Sequence, residues 1–164
     1  MTEIIPIVNN KDRIIGYKNR DDIEEVDIYR ITALWITNSK NEILIAKRSS
    51  TKKYNPGKWG PAVAGTVAKG ETYKTTILRE SLEELGLKNI KPEIGSKQRV
   101  EGVHNYFRQW YTLKLDIDLK DLVLQKSEVE SVKWISRKDL LKDIKTNPKK
   151  YLRKMLLYVE EFDN

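Results

Sequence analysis

The sequence contains no cysteine and only one histidine, His104. The lack of cysteine excludes disulfides, thiolate metal sites and cysteine nucleophiles. A single histidine excludes a metal site built from several imidazoles. Any bound metal ion must therefore be held by oxygen ligands, which suit hard divalent cations such as Mg²⁺ or Mn²⁺.

Long apolar runs are also missing from the 164 residues. No stretch approaches the roughly 20 apolar residues that a membrane-spanning helix needs. The opening, MTEIIPIVNN, lacks the basic and apolar regions of a signal peptide. We therefore expect a cytoplasmic protein without membrane association. Hydrophobic residues make up 39% and charged residues 34% of the chain, which predicts one globular domain over residues 1–164.

An excess of positive charge is confined to the C-terminal part. The chain carries 31 Lys and Arg against 24 Asp and Glu, and residues 133–154 hold nine of the basic residues but only Asp139 and Asp143. Such a surface could bind a polyanion such as RNA. No aromatic platform interleaved with the charge accompanies it. We therefore favour a solvated, lysine-rich helix face and do not expect a nucleic-acid partner.

Hydrophobic periodicity and turn residues divide the chain into strands and helices. Strands are predicted at residues 3–10 and 13–19, which form an N-terminal β-hairpin, and at 27–37, 42–49, 62–67, 97–103, 105–116 and 129–136. Helices are predicted at residues 72–85, 137–144 and 148–162, and an irregular loop at 50–62. This order predicts an α/β (α+β) fold in which a mixed β-sheet lies between helices.

The helix predicted at residues 72–85 separates acidic from apolar side chains. At 100° per residue, three carboxylates share one face and three leucines the opposite face: Glu80, Glu83 and Glu84 against Leu78, Leu82 and Leu85. Neighbouring like charges repel each other on a helix. A divalent cation converts that repulsion into ligation. For three glutamates alone, a solvated acidic face is the competing interpretation.

The residues around this helix favour the metal site. Glu71 precedes Arg79 by eight residues, a little over two helical turns, so the two can form an ion pair that holds the helix entrance. Gly65 and Gly70 allow the preceding loop to approach a bound ion closely. The glycines, the ion pair and the acidic face together thus favour a metal site over a solvated acidic surface.

Residues 65–87, GTVAKGETYKTTILRESLEELGL, resemble the 23-residue Nudix box, GX5EX7REUXEEXGU, in which U is a bulky aliphatic residue. Eight fixed positions are in register: Gly65, Glu71, Arg79, Glu80, Glu83, Glu84, Gly86 and Leu87. Ser81 departs from the pattern, because it stands where U is expected. We expect slightly looser packing there and no loss of metal ligands.

The resemblance implies a Nudix fold and a hydrolase that cleaves a small-molecule diphosphate linked to another moiety. It implies that Glu80, Glu83, Glu84 and the Ala64 carbonyl bind Mg²⁺, with Mn²⁺ as an alternative. The general base is then Glu83 or Glu80 of the box, or a later glutamate, Glu128 or Glu130. Gly65, Glu71, Arg79 and Gly86 support the site. Dimers are common in the family, which allows a homodimer.

Residues before the box are candidates for substrate binding. Arg48 and Lys58, with Lys47, Lys52 and Lys53 nearby, could grip phosphates, and Trp59 could stack on a base. Ordinary solvated charge and core packing are the competing interpretations. The box itself does not distinguish nucleoside triphosphates, dinucleotides, nucleotide sugars and prenyl diphosphates.

The flanking segments PIVNNKDRIIG, ILIAKRSSTKKYNPGKWG and EVESVKWIS resemble the Nudix branch of type I isopentenyl-diphosphate isomerase. That enzyme uses a catalytic cysteine and a histidine-rich metal site. This chain has no cysteine, and Arg30 stands where a ligand histidine is expected. An isomerase-like enzyme and a non-catalytic module that binds nucleotides or RNA remain the alternatives to a hydrolase.

Overall fold

A computed structural model describes residues 2–162. It contains nine strands, β1 Ile4–Val8, β2 Ile14–Asn19, β3 Ile28–Thr37, β4 Glu42–Arg48, β5 Trp59–Pro61, β6 Val63–Thr66, β7 Glu93–Val100, β8 Asn105–Lys114 and β9 Val129–Ser136. It contains three α-helices, α1 Tyr73–Leu85, α2 Arg137–Thr146 and α3 Met155–Glu161. None of the helices formed by residues 2–162 has the length and apolar character that a membrane span requires.

Strand β3 is the centre of a mixed sheet. It runs parallel to β8 over ten residue pairs, and its other side pairs antiparallel with β6 and β4. β4 continues the sheet through antiparallel pairs with β5 and β9, and β7 lies antiparallel beyond β8. The hairpin of β1 and β2 joins β3 through Val8 and Ile28. The predicted mixed sheet and N-terminal hairpin are both confirmed.

The sheet has a hydrophobic core on each face because β3 is apolar at successive positions. Leu34 and Ile36 belong to the core that contains residues of α1. Ala33 and Trp35 belong to the opposite core, which contains residues of α2 and α3. The sheet therefore lies between helices, as the sequence predicts.

Helix α1 begins and ends at well-defined caps. The side chain of Thr72 accepts the backbone N–H of Thr75, and the hydroxyl of Thr75 accepts the N–H of Thr72, which forms a capping box. Gly86 closes the helix in the left-handed conformation, with φ 70°. Both caps place the helix within one residue of its predicted bounds.

The buried face of α1 differs from the predicted leucine face. Its buried residues are Thr76, Ile77, Ser81, Glu84 and Leu85, whereas Leu82 is 46% exposed. Compared with the predicted leucine face, the buried face of the helix is rotated toward Glu84, so Leu82 lies outside the core. Ser81 is fully buried, and its hydroxyl donates to the Ile77 carbonyl at 2.6 Å. The residue that departs from the Nudix box thus satisfies its polar group within the helix.

Two predictions of secondary structure are wrong, and long-range strand pairing explains each of them. The predicted helix at 148–162 is interrupted, because Tyr151 pairs with Trp59 in a parallel bridge and the Leu152 N–H donates to the Trp59 carbonyl at 2.9 Å. Only α3 remains helical apart from one short turn at Pro148–Lys150. The second wrong prediction is the irregular loop at residues 50–62, which contains β5 because Trp59–Pro61 pair antiparallel with β4. β7 also begins four residues earlier than predicted.

The Gly86 cap gives a stability prediction. Gly86→Ala places a side chain at φ 70°, with a Cβ 2.9 Å from the Val123 Cβ, so we expect a loss of about 1–2 kcal/mol in the free energy of unfolding. Urea denaturation measures it. Gly16→Ala is the matched control, because no atom lies within 4 Å of its added Cβ. Equal stability of the two variants would contradict this account of the cap.

Candidate active site

Five of the residues singled out in the sequence line one small crevice. Its volume is about 40 Å³, it lies between α1, strands β4 to β6 and the start of β9, and its lining includes Lys47, Arg48, Ala64, Glu84 and Glu128. A cavity needs about 10–15 Å³ to hold one water molecule. The crevice therefore has room for a small ion or a few waters beside the carboxylates.

Leu152 also lines this crevice, and the sequence did not point to it. Its position was predicted to lie within a helix, and no local pattern indicates that Tyr151 pairs with Trp59 instead.

Gly65 allows the Glu80 carboxylate to lie against strand β6. A Cβ added at Gly65 would stand 2.5 Å from the Glu80 Cδ, a distance that no side chain can occupy. The Glu80 side chain is only 15% exposed, and Oε1 contacts Arg79 Nη2 at 3.2 Å. The box glycine thus creates the space that holds the first box glutamate.

Arg79 forms the ion pair that the sequence predicts with Glu71. Arg79 Nε donates to Glu71 Oε1 at 2.7 Å and Nη2 to Glu71 Oε2 at 3.1 Å. The Thr76 hydroxyl also donates to Glu71 Oε2 at 2.7 Å. These hydrogen bonds, from Arg79 above all, hold the pKa of Glu71 below its usual value. The same guanidinium reaches Glu83 Oε2 at 2.9 Å and so connects three carboxylates.

Burial raises the pKa values of two of the box glutamates. It raises the pKa of Glu84 to about 8, assisted by the charges of Glu80 and Glu128 and opposed by Lys52 and Arg48. Burial likewise raises the pKa of Glu80 to about 7, and for this group it outweighs the contact with Arg79. At both groups the nearby positive charges do not offset the cost of burying the ionised form.

The acidic side chains do not converge as a ready metal site. Among residues 2–162, no group of three or more His, Asp or Glu side chains is arranged to hold a metal ion. The Glu83 side chain is 46% exposed and pairs with Arg79, while Glu84 is buried at the crevice. Glu84 lies beside a cavity that has room for an ion, and its carboxylate oxygens suit a hard dication once the group has lost its proton. Metal binding by the three glutamates stays a prediction.

Of the two later glutamates, Glu128 lies at the crevice and Glu130 does not. Glu128 Oε2 contacts Lys52 Nζ at 2.5 Å, whereas Glu130 pairs with Lys47 at 3.1 Å on strand β9. Arg48 Nε donates to the Tyr54 carbonyl at 3.2 Å. Burial lowers the pKa of Arg48, and the charges of Glu128 and Glu84 oppose that shift.

Lys58 and Trp59 are placed differently from Arg48. Neither lines the crevice. Trp59 packs against the core beneath α2 and α3, with Lys133 Nζ 4.6 Å from its ring centroid. The Lys58 carbonyl accepts the Arg48 N–H at 2.9 Å. Their roles in substrate binding stay predictions that the crevice geometry does not support.

Arg30 is engaged in a structural network. Its Nε donates to Asp12 Oδ1 at 2.7 Å, and Asp12 Oδ2 also accepts from Tyr73 at 3.0 Å and from Lys97 at 2.7 Å. Asp12 lies in the turn of the N-terminal hairpin, so the network fastens that hairpin to β3, α1 and β7. Arg30, at whose position the resemblance to the isomerase predicts a ligand histidine, therefore forms an ion pair with Asp12.

Residues 28–155 match the family described as the NUDIX domain. The chain belongs to the Nudix family. An uncharacterised Nudix hydrolase of Listeria monocytogenes is 31% identical over 114 residues, which are 70% of this chain and 67% of that protein. A prenyl-diphosphate phosphatase of Methanosarcina mazei is 26% identical over 150 residues, covering 90% of this chain and 88% of that protein.

Solved structures show the same fold. The DR0079 protein of Deinococcus radiodurans has a TM-score of 0.83 at 22% identity and covers 98% of this chain and 100% of its own. A complex of the Caenorhabditis elegans Ap4A hydrolase has a TM-score of 0.60 at 21% identity, over 82% of this chain and 94% of its own. The predicted Nudix fold and the prediction of a Nudix pyrophosphohydrolase are confirmed.

The contact between Gly65 and Glu80 gives a second prediction. Gly65→Ala must displace the Glu80 carboxylate, so we expect a loss of about 1–3 kcal/mol in the free energy of unfolding. Truncation of the opposing side chain removes the clash, so Glu80→Ala should recover most of that loss in the double variant. Urea denaturation of the wild type, both single variants and the double variant measures the coupling. Additive effects would contradict the proposed contact.

The raised pKa of Glu84 predicts how stability depends on pH. The unfolded chain ionises this group near pH 4.5 and the folded protein only near pH 8, so the folded protein binds the extra proton in between and stability falls as pH rises through that window. In Glu84→Gln, the decrease in the free energy of unfolding over this pH range should be smaller, by on the order of 1–3 kcal/mol. Urea denaturation in EDTA at several pH values measures it. The exposed Glu93→Gln control should follow the wild type; an unchanged slope in Glu84→Gln would contradict the assignment.

Proposed function

We propose that the chain hydrolyses the diphosphate linkage of a nucleoside diphosphate-X type substrate in a Mg²⁺-dependent reaction. The observation that carries the proposal is the crevice itself. Within it, the buried Glu84 of the Nudix helix, the β6 residue Ala64 and the basic side chain of Arg48 line the same small cavity. A cation and a phosphate group need these two kinds of ligand side by side.

Mg²⁺ is proposed to be held by Glu80, Glu83, Glu84 and the Ala64 carbonyl, with Mn²⁺ as an alternative. When bound, the ion would neutralise phosphate charge and acidify a bound water. The raised pKa values of Glu80 and Glu84 support this role, because a dication would offset the cost of ionising carboxylates that burial disfavours. Glu83, exposed on the same helix, would exchange its contact with Arg79 for the ion.

The remaining residues of the crevice would bind substrate and accept a proton. Arg48 and Lys52 carry positive charge beside the cavity, where phosphate oxygens would lie. Glu128 is our choice for the general base, since it lines the cavity and a neighbouring lysine keeps it oriented. Glu83 and Glu80 are the competing bases, and both already contact Arg79.

A prenyl diphosphate is the second candidate substrate. The Methanosarcina mazei relative, a prenyl-diphosphate phosphatase, aligns with 90% of this chain. Apolar residues, Ala46, Pro61, Ala62, Val129 and Leu152, form one side of the crevice. The cavity of about 40 Å³ does not enclose a hydrocarbon tail, so this candidate rests on the relative and on the apolar character of the lining.

The two alternatives to hydrolysis have less support. Isomerisation lacks its cysteine in this sequence, and Arg30 is fixed to Asp12. A non-catalytic RNA-binding module would use the basic C-terminal segment and would bind RNA with a strong salt dependence. The complete set of charged box residues favours catalysis over both.

The activity test uses isosteric variants of the box. Glu84→Gln and Glu83→Gln each remove a proposed metal ligand, so we expect at least about a 100-fold loss of Mg²⁺-dependent phosphate release while circular dichroism stays unchanged. Glu93→Gln, on the exposed face of β7, should keep full activity. A panel of nucleoside triphosphates, dinucleotides, nucleotide sugars and prenyl diphosphates identifies the substrate class. Full activity of both box variants would refute the proposed site.

The base assignment is tested in the same assay. Glu128→Gln should lower kcat about 100-fold or more with little change in KM, because proton transfer contributes to the transition state and not to substrate binding. Glu130→Gln is the matched control from the same region. If Glu83→Gln lowers kcat and Glu128→Gln does not, the base belongs to the box.

A further inference from the structure

A second, larger groove lies away from the crevice, between strands β7 and β8 and helix α3. Its volume is about 750 Å³, and it is lined by Gln98, Val100, Arg108, Lys154, Leu157 and Tyr158 among others. Ligand pockets for small molecules typically enclose roughly 300–1,000 Å³. The groove is therefore large enough for a molecule of nucleotide size.

Arg108 forms the floor of this groove and is unusual for a buried arginine. The residue is only 8% exposed, and no ion pair joins it to an acidic side chain within residues 2–162. Its Nη2 donates to the Tyr106 hydroxyl at 2.9 Å. The Arg108 side chain also interacts with Tyr158. Neither tyrosine carries a negative charge to balance the guanidinium, which is always charged.

Aromatic rings hold the Arg108 guanidinium in place. Its Cζ lies 4.6 Å from the Tyr158 ring centroid, 5.2 Å from that of Tyr106 and 5.4 Å from that of Trp110. Cation–π contacts of this kind offset part of the cost of removing the charge from water. They also fix the orientation of the donors, which is what a specific anion site requires.

Lys154 places a second positive charge at the same groove. It makes no ion pair with residues 2–162, and burial, followed by the charges of Arg108 and Arg153, lowers its pKa. Neither Arg108 nor Lys154 therefore forms an ion pair within residues 2–162. Three exposed glutamates, Glu101, Glu160 and Glu161, line the same groove, and Glu161 is bonded to Ser96 and Gln98.

We propose that this groove binds a small organic anion, whose phosphate or carboxylate group is held by Arg108 and Lys154. The apolar part of the ligand lies against Val100, Leu157 and the Tyr158 ring, which line the same groove. The site is separate from the crevice that contains Glu84, so the proposal does not depend on the proposed hydrolysis.

Isothermal titration calorimetry of the full chain in EDTA tests the site without turnover. Adenosine 5′-monophosphate is the probe, and adenosine is the uncharged control. Inorganic phosphate and acetate, titrated separately, show whether the anion is a phosphate or a carboxylate. Binding should persist in Glu84→Gln, because that residue belongs to the other cavity. Binding of the anion to the groove can therefore be observed even if the proposed hydrolysis is refuted.

Two variants connect binding to the groove. Lys154→Met and Arg108→Lys should each weaken binding about tenfold or more, since each removes a charge or the planar fork of donors. Arg153→Met, an exposed neighbour, is the matched control and should bind like the wild type. If the buried Arg108→Lys variant fails to fold by circular dichroism, Lys154→Met decides alone. Absence of binding of every anion to the wild type, or binding that Lys154→Met leaves unchanged, would overturn the proposal.

Discussion

The close approach of strand β6 to helix α1 at Gly65 is the constraint on which the site depends. Without a side chain at this position, the Glu80 carboxylate lies directly against the strand. Ile77 and Leu85 are fully buried on the same helix and hold it at that distance. The packing of α1 on the sheet therefore determines where its carboxylates lie. A change that lifts α1 from the sheet also moves the acids away from Ala64.

The burial of these carboxylates lowers the stability of the folded protein, and the apolar packing of α1 maintains their position despite that cost. Burial disfavours the ionised forms of Glu80 and Glu84, and their pKa values of about 7 and about 8 record that cost. The positive charge of Arg79 offsets part of the cost of ionising these glutamates, but its strongest hydrogen bonds go to Glu71 at the helix entrance. The guanidinium thus fixes the helix while leaving the acidic residues short of positive charge. Strained sites of this kind persist where the surrounding structure over-determines them, and they are typical of functional centres.

Local sequence signals predicted the features that depend on local geometry. The Glu71–Arg79 pair follows from a spacing of eight residues, and the end of α1 follows from Gly86. Signals that depend on distant contacts were missed. Leu82 looks apolar on a helical projection, but the fold turns that side of α1 to solvent. The segment around Tyr151 reads as a helix, but its backbone pairs with Trp59, about ninety positions earlier in the chain. No pattern within either segment contains that information, because propensity yields to tertiary hydrogen bonds.

Strand β3 also determines how the two cavities are related. Its residue Ile31 pairs with Thr66 of β6 on one side and with Arg108 of β8 on the other. Two strand spacings, roughly 10 Å of sheet, therefore separate the backbone of the box strand from that of the buried arginine. Glu84 of α1 lines one cavity and Arg108 of β8 lines the other. The sheet keeps the buried acid and the buried arginine apart, so the two side chains do not neutralise each other.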